Sequence, residues 1–315
     1  MKLSIIIPCY NCAERINKLL MQIYPQVEDN DNVEVILVND GSTDNTKDLI
    51  SAFLQNNDSN KFLLITTQNK GAAAAREKGL EFATGEYVFF CDSDDLISHK
   101  FVQTILSICE TCADVIYFSS EIISSGQNYH KIADKVLFED NISFTSPDDF
   151  LLHQLKHGYW TAAVWTYVFK RSIAVSQHIT FSSRRAHEDH LFTAKIILNA
   201  KLIICLKDTL YFQILTLGSL TNSKKNLKYI SERYLSFVQA RELLKGRCKK
   251  KTIFHYEIWS LRSIISLFLE NRSILLNAMF SYPVWKAAFA ERTLIYKFAF
   301  FIFKNKIWRG VNNND

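Results

Sequence analysis

Short apolar runs alternate with longer amphipathic segments over the first part of the chain. The apolar runs predict four β-strands, at Leu3–Pro8, Val33–Asn39, Phe62–Thr67 and Glu86–Cys91. The segments between them have helical spacing and predict helices at Glu14–Tyr24, Thr43–Leu54 and Ala72–Phe82. Strands that are apolar on both faces and joined by helices are typical of a doubly wound, mostly parallel α/β sheet with helices on both faces.

The pattern changes after Leu96, where helices and strands become less regular. The predicted elements are a helix at Phe101–Cys112, a strand at Asp114–Ser119, an irregular stretch to Phe144, a helix capped by Ser146, a strand at Thr161–Phe169, a helix at Glu188–Asn199, and short strands at Leu202–Cys205 and Thr209–Ile214. The chain reads as helical from about Leu227 onward. We therefore predict an α/β domain over residues 1–224, with halves at 1–98 and 99–224, and a helical C-terminal region over 225–315.

Polar residues follow the predicted strands of the first half, at the edge where doubly wound sheets bind ligands. Three aspartates, Asp92, Asp94 and Asp95, come directly after the fourth strand. Two carboxylates about 5 Å apart repel by roughly 3 kcal/mol at an effective dielectric constant near 20. Such a cluster needs positive charge, and hard divalent cations such as Mg²⁺ or Mn²⁺ bind through one or two carboxylates. The sequence thus predicts a metal site here.

Other nucleotide and phosphate sites do not fit the sequence as well. No Gly-rich dinucleotide motif follows the first strand, and no P-loop motif is present. A metal-dependent phosphohydrolase with an aspartate nucleophile is an alternative interpretation of the aspartate cluster. That class normally carries the nucleophile after the first strand, and Leu96 stands here where it has Thr or Val.

Four motifs together resemble the family 2 glycosyltransferases of the GT-A fold. They are SIIIPCYN (4–11), VNDGSTDNT (38–46), NKGAAAAREKGLEFATGEYVFFCDSDD (69–95) and HEDHLF (187–192). The resemblance covers about residues 1–222 and implies transfer of a sugar from a nucleotide-diphosphate donor, usually a UDP-sugar, with inversion at the anomeric carbon. It makes residues 1–98 the nucleotide-sugar half and 99–224 the acceptor half. A non-catalytic nucleotide-sugar-binding protein is the competing hypothesis.

The resemblance also implies roles for individual residues. Pro8 and Tyr10 would frame the base, with Asn11 in the same donor-binding set, and Asp40 would accept a hydrogen bond from the pyrimidine. The remaining donor residues would be Asn69, Gly71 and Arg76 at the diphosphate, Asp92 and Asp94 at nucleotide and sugar hydroxyls, and Asp95, with Asp94, at the metal.

The pair Glu188-Asp189 in the last motif is the candidate for proton transfer. Displacement with inversion requires a base on the acceptor hydroxyl, and the resemblance assigns that role to Asp189, with Glu188 as the second choice. His187 and His190 flank the pair and suggest a metal site less strongly, because the donor site already accounts for the metal. The alternative interpretation is acidic charge at a helix N-terminus, which is favourable in itself.

Charge is distributed unevenly along the chain of 315 residues. Residues 224–309 carry 18 Lys and Arg against 5 Asp and Glu, whereas the rest is acidic. Basic residues interleaved with aromatic ones, such as Trp285 and Tyr296, indicate a C-terminal region that contacts an anionic membrane surface. Packing on the catalytic body or a homo-oligomer interface are the alternatives, and no nucleic-acid motif is present.

The remaining expectations concern the compartment and the acceptor. Seven cysteines, an odd number, and the lack of a secretory signal or a spanning segment predict a cytoplasmic protein at the inner face of the membrane. By analogy, the acceptor is expected to be a saccharide, carried on a lipid, in the synthesis of surface polysaccharide or lipopolysaccharide.

Overall fold

The structure is a computed structural model that describes residues 2–57, 60–125, 129–184, 186–215 and 225–270. The strands are β1 Leu3–Cys9, β2 Val33–Asp40, β3 Phe62–Thr67, β4 Tyr87–Phe90, β5 Leu96–Ile97, β6 Val115–Ser124, β7 Lys131–Val136, β8 Ile142–Phe144, β9 Tyr167–Lys170 and β10 Ile203–Leu215. The helices are α1 Ile16–Val27, α2 Thr46–Asn57, α3 Ala72–Phe82, α4 Phe101–Cys109, α5 Pro147–His157, α6 Arg171–Ser176, α7 Asp189–Leu198, α8 Leu227–Lys245 and α9 Lys250–Glu270.

All ten described strands form one sheet, whose main order is β3-β2-β1-β4-β9-β6-β10-β5. The first four strands are parallel to one another, as predicted. Strand β9 lies antiparallel between β4 and β6, and β10 is parallel to β6. The predicted α/β class, with a central mostly parallel sheet, is confirmed.

Alternating residues of the central strands pack into two separate apolar layers. Ile6 and Ile36 belong to the layer that contains α3, whereas Ile5, Ile7 and Val35 belong to the layer that contains α1 and α4. All five side chains are fully buried. Because successive strand side chains point to opposite faces, a strand covered on both faces must be continuously apolar. This requirement explains why the sequence pattern located these strands within two residues.

The predictions for the second half were wrong in three places. The stretch to Phe144 is not irregular, since β6 extends to Ser124 and β7 and β8 follow it. The two short strands after residue 201 are one strand, β10, with register shifts against β6 near Thr209. Only the last part of Thr161–Phe169 is strand, because Val164–Thr166 forms a 3-10 turn. Strand β7 escaped prediction because its first three residues are exposed and its apolar alternation is weak.

The first part of the C-terminal region packs on the α/β body. Helix α8 begins after Asn226, whose side-chain oxygen accepts a hydrogen bond from the backbone N–H of Tyr229. Helices α8 and α9 contact each other and also contact α7 and α5. Phe237 and Tyr256 are buried in the same apolar layer as Phe192 of α7. The division at residue 224 stays a prediction.

The remaining basic and aromatic residues of the predicted membrane-contacting region, 271–315, lie outside the described residues. Among the helices that the structure describes, none combines the length and the apolar character needed to cross a bilayer.

The contact between α3 and β1 generates a prediction about stability. A Cβ atom at Gly79 would overlap the Cγ2 atom of Ile6, whereas one at Gly246, just after α8, would meet nothing within 4 Å. We expect Gly79→Ala to lower the free energy of unfolding by about 1–3 kcal/mol, because overpacking outweighs the better helix propensity of alanine. Urea denaturation measures this, with Gly246→Ala as the matched control. An unchanged midpoint for Gly79→Ala would show that α3 can shift freely.

Candidate active site

Hydrogen bonds join the loops after β1 and β2 at the carboxyl edge of the sheet. The Asn11 side-chain oxygen accepts a hydrogen bond from the backbone N–H of Thr43 (2.8 Å), and the Asn11 backbone N–H donates to the hydroxyl of Ser42 (3.1 Å). Asn11 has a positive φ of 48°, which asparagine tolerates better than most residues. Tyr10 beside it remains 49% exposed. The ring of Tyr10 is therefore available to a ligand, as a base-framing role requires.

Asp40, at the end of β2, holds the next loop in place. Its carboxylate accepts hydrogen bonds from the backbone N–H groups of Lys70 (3.0 Å) and Gly71 (2.7 Å) and from the hydroxyl of Thr67 (3.3 Å). Its side chain is buried. The structure thus shows that Asp40 shapes the turn that carries Asn69 and Gly71. Its predicted contact with a pyrimidine stays a prediction.

The loop from Asp92 to Asp95 is anchored on β10. Both carboxylate oxygens of Asp95 accept hydrogen bonds, from the hydroxyl of Tyr211 (2.6 Å) and from the backbone N–H of Ile214 (2.8 Å). The Tyr211 hydroxyl also accepts a hydrogen bond from the backbone N–H of Asp92 (3.3 Å). The short strand β5 follows this loop and pairs with Tyr211 and Phe212 of β10. The long β10 strand therefore fixes where the aspartates stand.

Two arginines supply part of the positive charge that the aspartates need. Arg76 lies 2.7 Å from a carboxylate oxygen of Asp92, and Arg15 lies 3.4 Å from one of Asp94. Burial and the neighbouring aspartates nevertheless raise the pKa of both Asp94 and Asp95. The site thus remains short of positive charge around these two carboxyl groups.

Arg76 also reaches the second acidic motif. Its guanidinium lies 3.3 Å from a carboxylate oxygen of Glu188 and 5.8 Å from the ring centre of Phe181. Arg76 is 7% exposed, and although burial disfavours its charge, Asp92 and Glu188 raise its pKa. The predicted diphosphate residue is therefore a buried bridge between the aspartate loop and the start of α7. Its role toward a diphosphate stays a prediction.

Asp189 is the first residue of α7 and lies beside this bridge. Burial and the negative charge of Glu188 raise its pKa to about 7, against the opposing effect of Arg76. A carboxyl group with a pKa near neutrality can exist as a carboxylate at working pH and still hold a proton well. The electrostatics of Asp189 are compatible with a general base, and that role stays a prediction.

The two histidines beside the acidic pair have other partners. The Nε2 atom of His190 lies 2.7 Å from the hydroxyl of Tyr256, and burial lowers the pKa of His190. The ring of His187 packs against that of Tyr229. Within the described part of the chain, no three His, Cys, Asp or Glu side chains form a metal-binding group.

Sequence reasoning missed several residues that the structure brings to the site: Arg15, Tyr211, Trp165, Phe181 and Lys135. They come from five separate elements or loops, and none of them stands in a recognisable motif. Arg15 alone carried a usable signal, because it follows the first motif by four residues. Tyr211 and Lys135 are placed by the pairing of β10 and β7 with β6, whereas Trp165 lies just before β9 and Phe181 in the loop after α6.

One family of known proteins matches the part of the chain that runs from β1 to β9 and includes the aspartate loop. The family model described as glycosyl transferase family 2 matches residues 4–170, which is more than half of the chain. The chain belongs to this family, and it is a glycosyltransferase.

Individual relatives and solved structures agree with that assignment. The uncharacterized glycosyltransferase YibD of Escherichia coli K12 is 28% identical over 263 residues, which are 81% of this chain and 74% of YibD. Glycosyltransferase GlyA of Streptococcus pneumoniae is 30% identical over 70% of this chain but only 31% of GlyA. The crystal structure of S. aureus TarS 1–349 in complex with UDP-GlcNAc has a TM-score of 0.66 at 24% identity, covering 86% of this chain and 73% of the TarS 1–349 chain. The likeness to TarS supports the fold.

Proposed function

We propose that this glycosyltransferase moves a sugar from a UDP-sugar to a hydroxyl of a saccharide acceptor, with inversion at the anomeric carbon. The observation that carries the proposal is Asp189, a carboxyl group whose pKa lies near 7 beside an arginine bridge to the aspartate loop. The relatives include poly(ribitol-phosphate) β-N-acetylglucosaminyltransferase TarS of Staphylococcus aureus. This name supports a role in surface polysaccharide synthesis, and we extend it to an acceptor on a lipid carrier.

In the proposed reaction, Asp189 removes the proton from the acceptor hydroxyl as that oxygen attacks the anomeric carbon. The diphosphate leaves from the opposite face, which gives inversion. Arg76 does not contact the proton; it holds Glu188 and Asp92 in place, and its charge favours the ionised form of Asp189. Burial and the charge of Glu188 oppose that effect and raise the pKa of the base.

A divalent cation, Mn²⁺ or Mg²⁺, fits the residues of the aspartate loop. Two arginines pair with the carboxylates of Asp92, Asp94 and Glu188. Burial raises the pKa of the carboxyl groups of Asp94 and Asp95. Asp95 and Asp94 would hold the cation, because a hard cation needs only one or two carboxylates besides water and phosphate oxygens. When bound, it would neutralise charge on the leaving diphosphate.

The first prediction of this proposal concerns UDP and metal. We expect UDP to bind in the presence of Mn²⁺ and to lose at least about tenfold in affinity after chelation, because the diphosphate then meets uncompensated carboxylates. Isothermal titration measures both affinities. Asp95→Asn should bind UDP equally with and without metal, whereas Asp208→Asn, a surface residue that pairs with Lys100, should behave like the unaltered protein. Metal-independent binding by the unaltered protein would contradict the metal site.

The second prediction concerns pH. Because the base must be ionised, kcat/KM should rise with pH up to a plateau, with a midpoint near 7 set by Asp189. In Glu188→Gln the repulsion between the two carboxylates is gone, so the midpoint should move to lower pH. The release of sugar from UDP-sugars in a donor screen provides a first assay. Transfer of that sugar to the acceptor, once the acceptor is identified, provides a second assay.

Asp189→Asn is the decisive variant for the same experiment. It should keep its affinity for UDP while transfer falls by about two to four orders of magnitude, and the pH dependence near neutrality should disappear. Unchanged transfer in this variant would assign the base to another residue.

We also propose that the enzyme is cytoplasmic and binds the anionic inner face of the membrane through its basic C-terminal region. The support is the excess of Lys and Arg over residues 224–309. Each basic residue near an anionic surface contributes about 1 kcal/mol, and salt screens this attraction over about 8 Å. Co-sedimentation with anionic vesicles should therefore weaken at high salt and be absent with neutral vesicles. Equal binding to both kinds of vesicle would contradict an electrostatic attachment.

A further inference from the structure

A lysine on β7, Lys135, lies at the active site without any role in the proposed reaction. Strand β7 pairs with β6 through Val136 opposite Ser120 and Asp134 opposite Glu121. Lys135 therefore has no residue opposite it and is the extra residue of a β-bulge. Bulges change the direction of a side chain and occur often beside active sites. The backbone of β7 thus departs from regular pairing at Lys135, as it does again at Ile132.

The surroundings of Lys135 belong to the candidate active site. Its ammonium nitrogen lies 5.9 Å from the ring centre of Trp165. The Trp165 ring stacks on Tyr211 with centres 4.6 Å apart and planes at 13°, and the Tyr211 hydroxyl donates to Asp95. Asp189 is close enough to favour the charged form of the ammonium. Lys135 therefore lies near the aromatic pair that contacts the predicted metal ligand, Asp95, and within electrostatic reach of the predicted base, Asp189.

The charge of Lys135 is not matched by a close partner. Within the residues that the structure describes, Lys135 forms no hydrogen bond and no ion pair within 4 Å, whereas Lys131 on the same strand pairs with Glu121 (3.0 Å) and Asp134 (2.5 Å). Lys135 is partly buried, and burial lowers its pKa. A partly buried ammonium without a close counter-charge is costly unless a ligand supplies one.

We propose that Lys135 contacts the substrate and binds a phosphoryl oxygen in the active-site cleft. This inference rests on the proposed function, because that function brings phosphate to the cleft. The aromatic platform of Trp165 limits where the flexible lysine can lie, so less conformational freedom is lost on binding. The phosphoryl oxygen belongs either to the diphosphate of the donor or to a phosphate group of the acceptor.

Three ligands and three variants test the proposal and separate its two sources. The ligands are UDP, uridine and inorganic phosphate, the last added to the free protein and to its UDP complex. The variants are Lys135→Met, which removes the charge, Lys135→Arg, which keeps it, and Lys131→Met, the matched control on the same strand. Calorimetry measures the affinities for UDP and uridine, and the shift in melting temperature measures the binding of phosphate. Melting of each variant without ligand verifies that it is folded.

If Lys135 contacts the donor, Lys135→Met should weaken the binding of UDP by about 10- to 100-fold, as expected for the loss of a charge-assisted hydrogen bond. The affinity for uridine should stay unchanged. If Lys135 contacts the acceptor, Lys135→Met should leave the affinity for UDP unchanged. The stabilisation of the UDP complex by added phosphate should then disappear in this variant. In either case Lys135→Arg should restore much of the effect, and Lys131→Met should have none.

Equal responses of the unaltered protein and Lys135→Met to UDP and to phosphate would overturn the inference while leaving the proposed function intact. Conversely, failure of the unaltered protein to bind UDP would contradict the proposed function. The phosphate titration of the free protein would then decide the role of Lys135 on its own.

Discussion

The buried guanidinium of Arg76 is the interaction on which the rest of the site depends. Arg76 comes from α3 in the first half of the chain and joins Asp92, after β4, to Glu188, at the start of α7. Removing one partner from a buried charge network leaves the others without compensation, which is far more costly than losing a surface ion pair. The aspartate loop and the start of α7 are thus linked through one buried positive charge, that of Arg76.

The same shortage of positive charge explains several features of the site together. Four carboxylates, Asp92, Asp94, Asp95 and Glu188, share two arginines, so burial raises the pKa of Asp94 and Asp95 rather than leaving them freely ionised. Burial and the negative charge of Glu188 likewise raise the pKa of Asp189 to about 7.

The sheet contributes the rigidity that such a cluster of like charges requires. Tyr211 of β10 donates to Asp95, accepts from the Asp92 backbone and stacks on Trp165. Strand β10 is itself paired with β6 along most of its length. A loop bearing three aspartates would otherwise open to separate its charges. Anchoring it to a long, buried strand fixes the carboxylates before any ligand arrives, which is what preorganised electrostatic catalysis needs.

The sequence by itself determined the four parallel strands and the helices between them, because elements buried on one or both faces must show the apolar pattern of that burial. It also determined that Asp40 and the aspartate cluster would stand at the same edge, since parallel strands end together. Only the tertiary structure decided that Arg76 joins Asp92 to Glu188, that Tyr211 holds Asp95 and that a bulge directs Lys135. The contacts of Arg76 and Tyr211 join residues 16 to 116 positions apart. These arrangements depend on the antiparallel insertion of β9 and on the register of β7, and no local pattern records either of these.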